Sequence, residues 1–141
     1  MTVSIILENK GYETVTGRAD MKVSEVVQLF AERRIGAVPV LDGLEVVGVM
    51  SERDLVYCIA REGEAALSRT VGEVMTAPAI TVDKDHSILG ALGLMTERRV
   101  RHLPVVEDGK LAGFISIGDL VKYRMDRIEA DAAAMRDYIA Q

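Results

Sequence analysis

The chain has 141 residues, 49% of them hydrophobic and only 4% aromatic, which predicts one compact domain with a core of Val, Ile, Leu, Ala and Met. A net charge of −5 argues against nucleic-acid binding by bulk electrostatics. No apolar run nears the ~20 residues that span a bilayer, the first residues lack the pattern of a secretory leader, and the single cysteine, Cys58, has no partner for an internal disulfide. A soluble cytoplasmic protein without membrane contact is expected.

Thr2-Val3 and Ile6-Leu7 read as a short helical turn with a threonine cap. A short strand is expected over Glu13–Thr16. A helix follows, with Val23, Val26, Val27 and Phe30 on one face and Ser24 and Glu25 in its first turn. It ends at Arg33-Arg34, where cations suit the helix dipole and solvent. Strands over Ala37–Leu41 and Glu45–Met50 flank Asp42-Gly43, a hairpin signal. Pro39 cannot donate to a ladder and predicts a strand start or an edge. A second helix starts at Ser51 and fades into a connector from Ala60 to Ser68. Cys58, beside Leu55 and Ile59, reads as a buried structural thiol.

From Thr70 the pattern begins again. Residues 21–56 overlie residues 86–121 at a constant offset of 65 without gaps. Glu32-Arg33-Arg34 falls on Glu97-Arg98-Arg99, Pro39-Val40 on Pro104-Val105, and Asp54-Leu55-Val56 on Asp119-Leu120-Val121. Upstream, after a small insertion in the first copy, Thr2-Val3 and Ile6-Leu7 match Thr70-Val71 and Val74-Met75, and Thr16 aligns with Thr81. The second copy therefore repeats a strand over Ala79–Val82 and a helix facing inward through Ile88, Ala91, Leu92 and Met95. Strands over Leu103–Val106 and Leu111–Ile115 follow, around Asp108-Gly109, and then a helix from Ser116. The expected fold class is α+β: two β-α-β-β-α units packed face to face with pseudo-two-fold symmetry through a shared core, leaving two related clefts. The last helix runs from about Ile117 to near Tyr138. Its Val121, Met125, Ile128, Ala132, Met135 and Ile139 form a heptad-like seam. That seam either lies back on its own domain or pairs with the same helix of a second subunit.

Each copy carries one string where a strand runs into a helix: Gly48-Val49-Met50-Ser51-Glu52-Arg53-Asp54 and Gly113-Phe114-Ile115-Ser116-Ile117-Gly118-Asp119. A strand glycine lets another group approach the backbone. A hydroxyl beside free helical N–H groups suits a phosphate, and a carboxylate one turn on can accept from the vicinal hydroxyls of a ribose. Ser-x-x-Asp is equally an ordinary capping box. The copies differ. The first has Arg53 inside its string and small Gly36-Ala37 upstream; the second has no cation in its string but offers Arg101-His102. Arginine suits bidentate phosphate contacts. Two unequal sites follow, with that of Ser51, Arg53 and Asp54 the better anion binder and Arg101 and His102 reaching a phosphate from the side. Two histidines and one cysteine make no metal-ligand cluster, and no residue pairing suits nucleophilic catalysis.

Taken together, these paired strings make the chain resemble, over about residues 2–125, a tandem pair of cystathionine-β-synthase-type (CBS) domains, a Bateman module. The resemblance implies CBS repeats at residues 2–62 and 70–125, with residues 126–141 extending the last helix. It implies a regulatory module rather than an enzyme. Such a module binds AMP foremost, or ADP, ATP, NAD(H) or S-adenosylmethionine, in clefts between the repeats, with no metal. Ser51 and Asp54, and Ser116 and Asp119, match the family's phosphate and ribose contacts. Ile35, Gly36, Ala37, Val38 and Pro39, with Val100, Arg101, His102, Leu103 and Pro104, match the segments that line the adenine; Thr16 and Thr81 match a hydroxyl position before the first helix. A stand-alone homodimer that signals energy or redox state in trans to an unknown effector protein is expected. The alternative is a ligand-free interaction protein dimerising through its CBS faces and C-terminal helix.

Overall fold

In a computed structural model that describes residues 1–141, the two copies fold as two similar units. The first contains α1 (Val3–Lys10), β1 (Gly17–Arg18), α2 (Val23–Arg33), β2 (Ala37–Asp42), β3 (Glu45–Ser51) and α3 (Glu52–Glu62), followed by a 3-10 turn over Gly63–Ser68. The second contains α4 (Val71–Val74), α5 (Ile88–Arg98), β4 (His102–Glu107), β5 (Lys110–Ser116) and α6 (Ile117–Ala140). β2 and β3, and β4 and β5, are antiparallel hairpins, and β1 lies parallel to β2.

The leading helices change sides. Val3, Ile6 and Leu7 of α1 are buried against Ile88, Met95, Leu103 and Ile115 of the second unit. Val71 of α4 is buried against Val23, Val26, Phe30, Val38 and Met50 of the first. Matching bridges fix the exchange, Thr2 to Ser87 and Lys22 to Thr70. The two strand glycines make room for it. A Cβ on Gly113 would stand 2.5 Å from Leu7, and one on Gly48 would stand 2.6 Å from Met75 and 2.8 Å from the Thr76 carbonyl. The close approach that these glycines predict is thus made by the other unit's leading segment.

Several elements differ from expectation. The strand expected over Glu13–Thr16 lies just past that span, at Gly17–Arg18, and that over Ala79–Val82 shrinks to a single bridge between Val82 and Val105. The prolines account for both. Val82 donates to the Pro104 carbonyl and accepts from Val106; the next bond upstream in a parallel ladder would need an N–H from Pro104, and Pro39 stands at the same register against β1. Pro39 and Pro104 are accordingly the third residues of six-residue strands, not strand starts. The first hairpin turns on Gly43-Leu44 rather than Asp42-Gly43, because Asp42 pairs with Glu45 and Gly43 takes the positive φ of 63°. The second turns on Asp108-Gly109, both at positive φ.

Cys58 is fully buried, and its thiol donates to the Glu62 carboxylate at 3.1 Å. The last helix does not lie back on its domain. Leu120 is buried and Tyr123 packs on the second core, but Val121, Met125, Ile128, Ala132, Met135 and Ile139 are all exposed. At ~1.5 Å per residue the 24 residues of α6 outrun the helices beside it. No helix is long and apolar enough to cross a membrane.

Candidate functional site

Each cleft is founded on a helix cap. Ser51 accepts from Asp54 N–H at 3.3 Å, and Asp54 Oδ2 accepts from Ser51 N–H at 2.9 Å. Ser116 and Asp119 repeat the exchange at 3.1 and 2.8 Å. Both strings are therefore full capping boxes, which satisfy orphan N–H groups at the starts of α3 and α6. Glu52 N–H donates to the Gly36 carbonyl at 2.9 Å, and Ile117 N–H to the Arg101 carbonyl at 2.8 Å. These bonds fasten each proposed adenine segment to the adjoining helix start.

The clefts diverge at the third partner of the carboxylate. Thr76 Oγ1 donates to Asp54 Oδ1 at 2.8 Å. At the other cleft, Lys10 Nζ donates to Asp119 Oδ2 at 2.7 Å. Asp54 thus has no ion pair, whereas Asp119 has a cation.

The first cleft is an open cavity of about 160 Å³ between the units. Gly36, Val49, Ser51, Glu52, Arg53 and Asp54 line one wall together with Thr76, which is bonded to it, and Ala79, Ile80, Arg99, Val100, Arg101 and His102 line the other. Arg53 Nη1 donates across the gap to the Arg99 carbonyl at 2.7 Å. Three guanidiniums against two carboxylates give the cleft a positive mouth, and Val49, Ala79, Ile80 and Val100 supply its apolar lining. That combination suits a flat heterocycle carrying an anionic tail.

The structure brings together Gly36, Ser51, Arg53, Asp54, Val100, Arg101 and His102 from the candidates read in the sequence. Others lie elsewhere. Ser116 and Asp119 belong to the second cleft. Ala37, Val38, Pro39, Leu103 and Pro104 are buried strand residues, Ile35 packs on the first core, and Thr16 and Thr81 are exposed just before β1 and Val82. Thr76, Glu52 and Arg99 were missed. Arg99, expected only to complement the α5 dipole, turns into the cleft at a left-handed φ of 55°. Thr76 carried no sequence signal, since the insertion breaks the register of the repeat at that point.

Two ionisable groups are perturbed. Burial lowers the His102 pKa below the usual imidazole value, Lys10 adds to the effect, and Asp119 and Glu52 oppose it. The ring stacks on Phe114 with centroids 5.4 Å apart. Partial burial alone would raise the Asp119 carboxyl, but the Lys10 ammonium and the Ser116 N–H overcome it and hold the pKa below the ordinary value.

Two repeats in this geometry are those of the CBS-domain family. The chain belongs to it: the CBS domain model matches residues 13–61 and 71–126. A CBS-domain-containing protein of Agrobacterium tumefaciens has a crystal structure that superimposes with a TM-score of 0.84 at 39% identity, over 87% of this chain and 92% of that one. The mitochondrial CBS domain-containing protein CBSX3 of Arabidopsis thaliana is 30% identical over 98% of this chain and 71% of its own length. The CBS domain pair of protein MJ0100, solved in complex with 5'-methylthioadenosine and S-adenosyl-L-methionine, shares the fold, with a TM-score of 0.80 over 90% of this chain and 98% of that one at 20% identity. The chain spans only 34% and 57% of two other curated relatives, from Thermofilum pendens and Methanopyrus kandleri.

Proposed function

We propose that this chain is a regulatory module that binds an adenosine nucleotide, AMP first among AMP, ADP, ATP and NAD(H), in the cleft of Ser51 and Asp54. The observation that carries this reading is a carboxylate without an ion pair, Asp54, set beside Arg53 and opposite Arg99 and Arg101 across an apolar-lined gap. In the proposed pose Asp54 accepts from the ribose hydroxyls and the adenine lies against Ile80 and Val100. The phosphate meets the N-terminus of α3 and the guanidiniums of Arg53, Arg99 and Arg101. The adenosine-containing ligands of the MJ0100 pair belong to that protein and agree with this chemistry.

Binding would join the units, because the cleft takes one wall from each. A ligand shifts a conformational equilibrium only through differential affinity, and here the difference is whether both walls can close on it. We propose that a homodimer reads out that change. Val56, Tyr57 and Ile59 of α3 and Val121 and Met125 of α6 are exposed together with the rest of the α6 seam, and Val56 and Val121 are the same position in the repeat. The homodimer would present its nucleotide state to an effector protein, with no chemistry on the nucleotide.

The test is thermal unfolding of nucleotide-free protein against AMP, ADP, ATP, NAD⁺, NADH and S-adenosylmethionine. A ligand at about 100 times its Kd adds about 2.7 kcal/mol. One adenosine ligand raising Tm, and losing that effect in Asp54→Ala, is the expected result. No shift with any of them overturns the reading in favour of a ligand-free interaction protein.

A further inference from the structure

The second cleft holds one side chain that has no counterpart in the repeat. At the first cleft Thr76 closes the end of α4 onto β3 with two donors: its N–H bonds the Val49 carbonyl at 2.9 Å, and its hydroxyl bonds Asp54 at 2.8 Å. At the second cleft a single ammonium does both. Lys10 Nζ donates to the carbonyl of Phe114, the residue that repeats Val49, at 2.7 Å, and to Asp119, the residue that repeats Asp54, also at 2.7 Å.

Lys10 reaches that position because of the insertion. α1 has 8 residues and α4 has 4, so the first unit's leading helix runs one further turn and ends on Lys10. The other differences point the same way. Arg53 is replaced by Gly118 and Arg101 by Gly36, so two of the three guanidiniums of the first cleft have no counterpart in the second. The adjoining cavity, about 130 Å³, lies between α1 and α6 and is lined by Asn9, Lys10, Asp119, Lys122 and Asp126 among others. It carries little apolar surface for a base.

We infer that Lys10 is a built-in occupant of the second cleft, holding Asp119 so that each chain takes a single nucleotide, in the cleft of Ser51 and Asp54. The inference rests on the nucleotide reading of that first cleft. At Asp54 the partners of the carboxylate are the Ser51 and Thr76 hydroxyls and the Ser51 N–H, and none of them is a cation, so a ribose exchanges only neutral hydrogen bonds there. At Asp119 Lys10 and Ser116 both hold Oδ2. A ribose that grips both oxygens has to displace a charge-assisted hydrogen bond, about twice as strong as a neutral one. One that takes Oδ1 alone meets a carboxylate whose charge Lys10 already balances.

Isothermal titration calorimetry with AMP, repeated with ATP, tests it on nucleotide-free full-length protein. The wild type is expected to bind one equivalent per chain. Lys10→Met, with Lys10→Gln as a second, polar replacement, is expected to bind two, with cleft-two affinity raised about 10- to 100-fold. Adding Asp119→Ala to Lys10→Met should return the count to one. Two equivalents in the wild type overturn the inference and leave the nucleotide reading intact. One equivalent in the wild type and in both Lys10 variants also overturns it, because the cleft is then closed without Lys10. If the wild type binds none, the reading of the first cleft fails on its own. Lys10 is then judged by its variants alone: a gained equivalent sustains its role and none overturns it.

Discussion

The two clefts have the same cap, the same strand glycine and the same backbone fastening, yet they present opposite faces to a ligand. One carboxylate accepts from a threonine hydroxyl; the other is paired with a lysine ammonium. Internal duplication conserves what the fold needs, namely helix starts, the exchange of leading helices and the glycines that admit them. It leaves free the residues that only a ligand would meet. Arg53 against Gly118 and Arg101 against Gly36 are differences of that second kind. Chemical asymmetry on a symmetric frame is therefore what the proposed nucleotide cleft rests on.

The strongest way to break the comparison is Asp54→Ala. Two hydrogen bonds from a ribose to a charged acceptor are worth about 1.5–3 kcal/mol each, so AMP affinity should fall by about 100-fold or more in a calorimetric titration. Circular dichroism should show the loss of a helix cap, about 1 kcal/mol, and of the Thr76 hydrogen bond, about 1 kcal/mol more. An unchanged affinity would remove the ribose role from this cleft.

Next in size are the strand glycines. At Gly48 an added Cβ meets the Thr76 carbonyl, which is backbone and held by its bridge to Val49; at Gly113 it meets only the end of the Leu7 side chain. Gly48→Ala should therefore destabilise by about 2–3 kcal/mol and Gly113→Ala by about 1 kcal/mol. Urea unfolding of the two variants measures the difference. Equal costs would mean that the two leading segments are equally free to move.

How much of this the sequence disclosed follows from which residues repeat. The 65-residue offset is visible because core and cap residues are under the same packing demand in both units. It carried the helices, the hairpins and the identities of Ser51 and Asp54. It could not show that α1 and α4 exchange sides, because a buried Val or Leu does not name the unit it packs on. Nor could it show Lys10: the residue sits in the insertion, where there is nothing to align, and a lysine at a helix end reads as an ordinary dipole complement. Arg99 was hidden for the same reason. The shortened strands were legible in principle, since Pro39 and Pro104 remove the N–H that would extend them, but only once the parallel register was known.

Acid sharpens the contrast between the carboxylates. Asp119 has a lowered folded pKa through Lys10 and Ser116, so its contribution is present above the unfolded value of about 3.9 and is lost as pH falls through the lower folded value. Lys10→Met should flatten that limb of the stability curve below about pH 4. His102 acts in a higher window. Its lowered folded pKa makes stability complete above about 6.5 and declining as pH falls toward the folded value, since the unfolded chain takes up the proton first. Burial first, then Lys10 of α1 and Arg101, lower the ring's pKa, against Asp119 of α6 and Glu52 of α3. Lys10→Met should therefore shrink both limbs, whereas His102→Gln should remove only the upper one. Unfolding midpoints in urea from pH 7.5 to pH 3, a range chosen to span both groups' usual values, separate the two.

The smallest effect concerns the residues that end α2 and α5. Arg34 and Arg99 both adopt left-handed φ, 53° and 55°, a conformation that costs an L-residue about 1 kcal/mol and that glycine adopts freely. On backbone terms alone Arg34→Gly and Arg99→Gly should both stabilise, by up to about 1 kcal/mol less the added entropy of an unfolded glycine. The sites are not equivalent. Arg99 carries the carbonyl that accepts from Arg53 and is one of the residues that line the first cleft. Arg34 makes no side-chain hydrogen bond and forms no ion pair. Arg34→Gly should thus raise stability slightly with AMP affinity unchanged, and Arg99→Gly should raise it equally while weakening AMP several-fold. Equal affinity in the two variants would return Arg99 to a purely helix-ending role. The strain retained at residue 99 would then have no ligand to explain it.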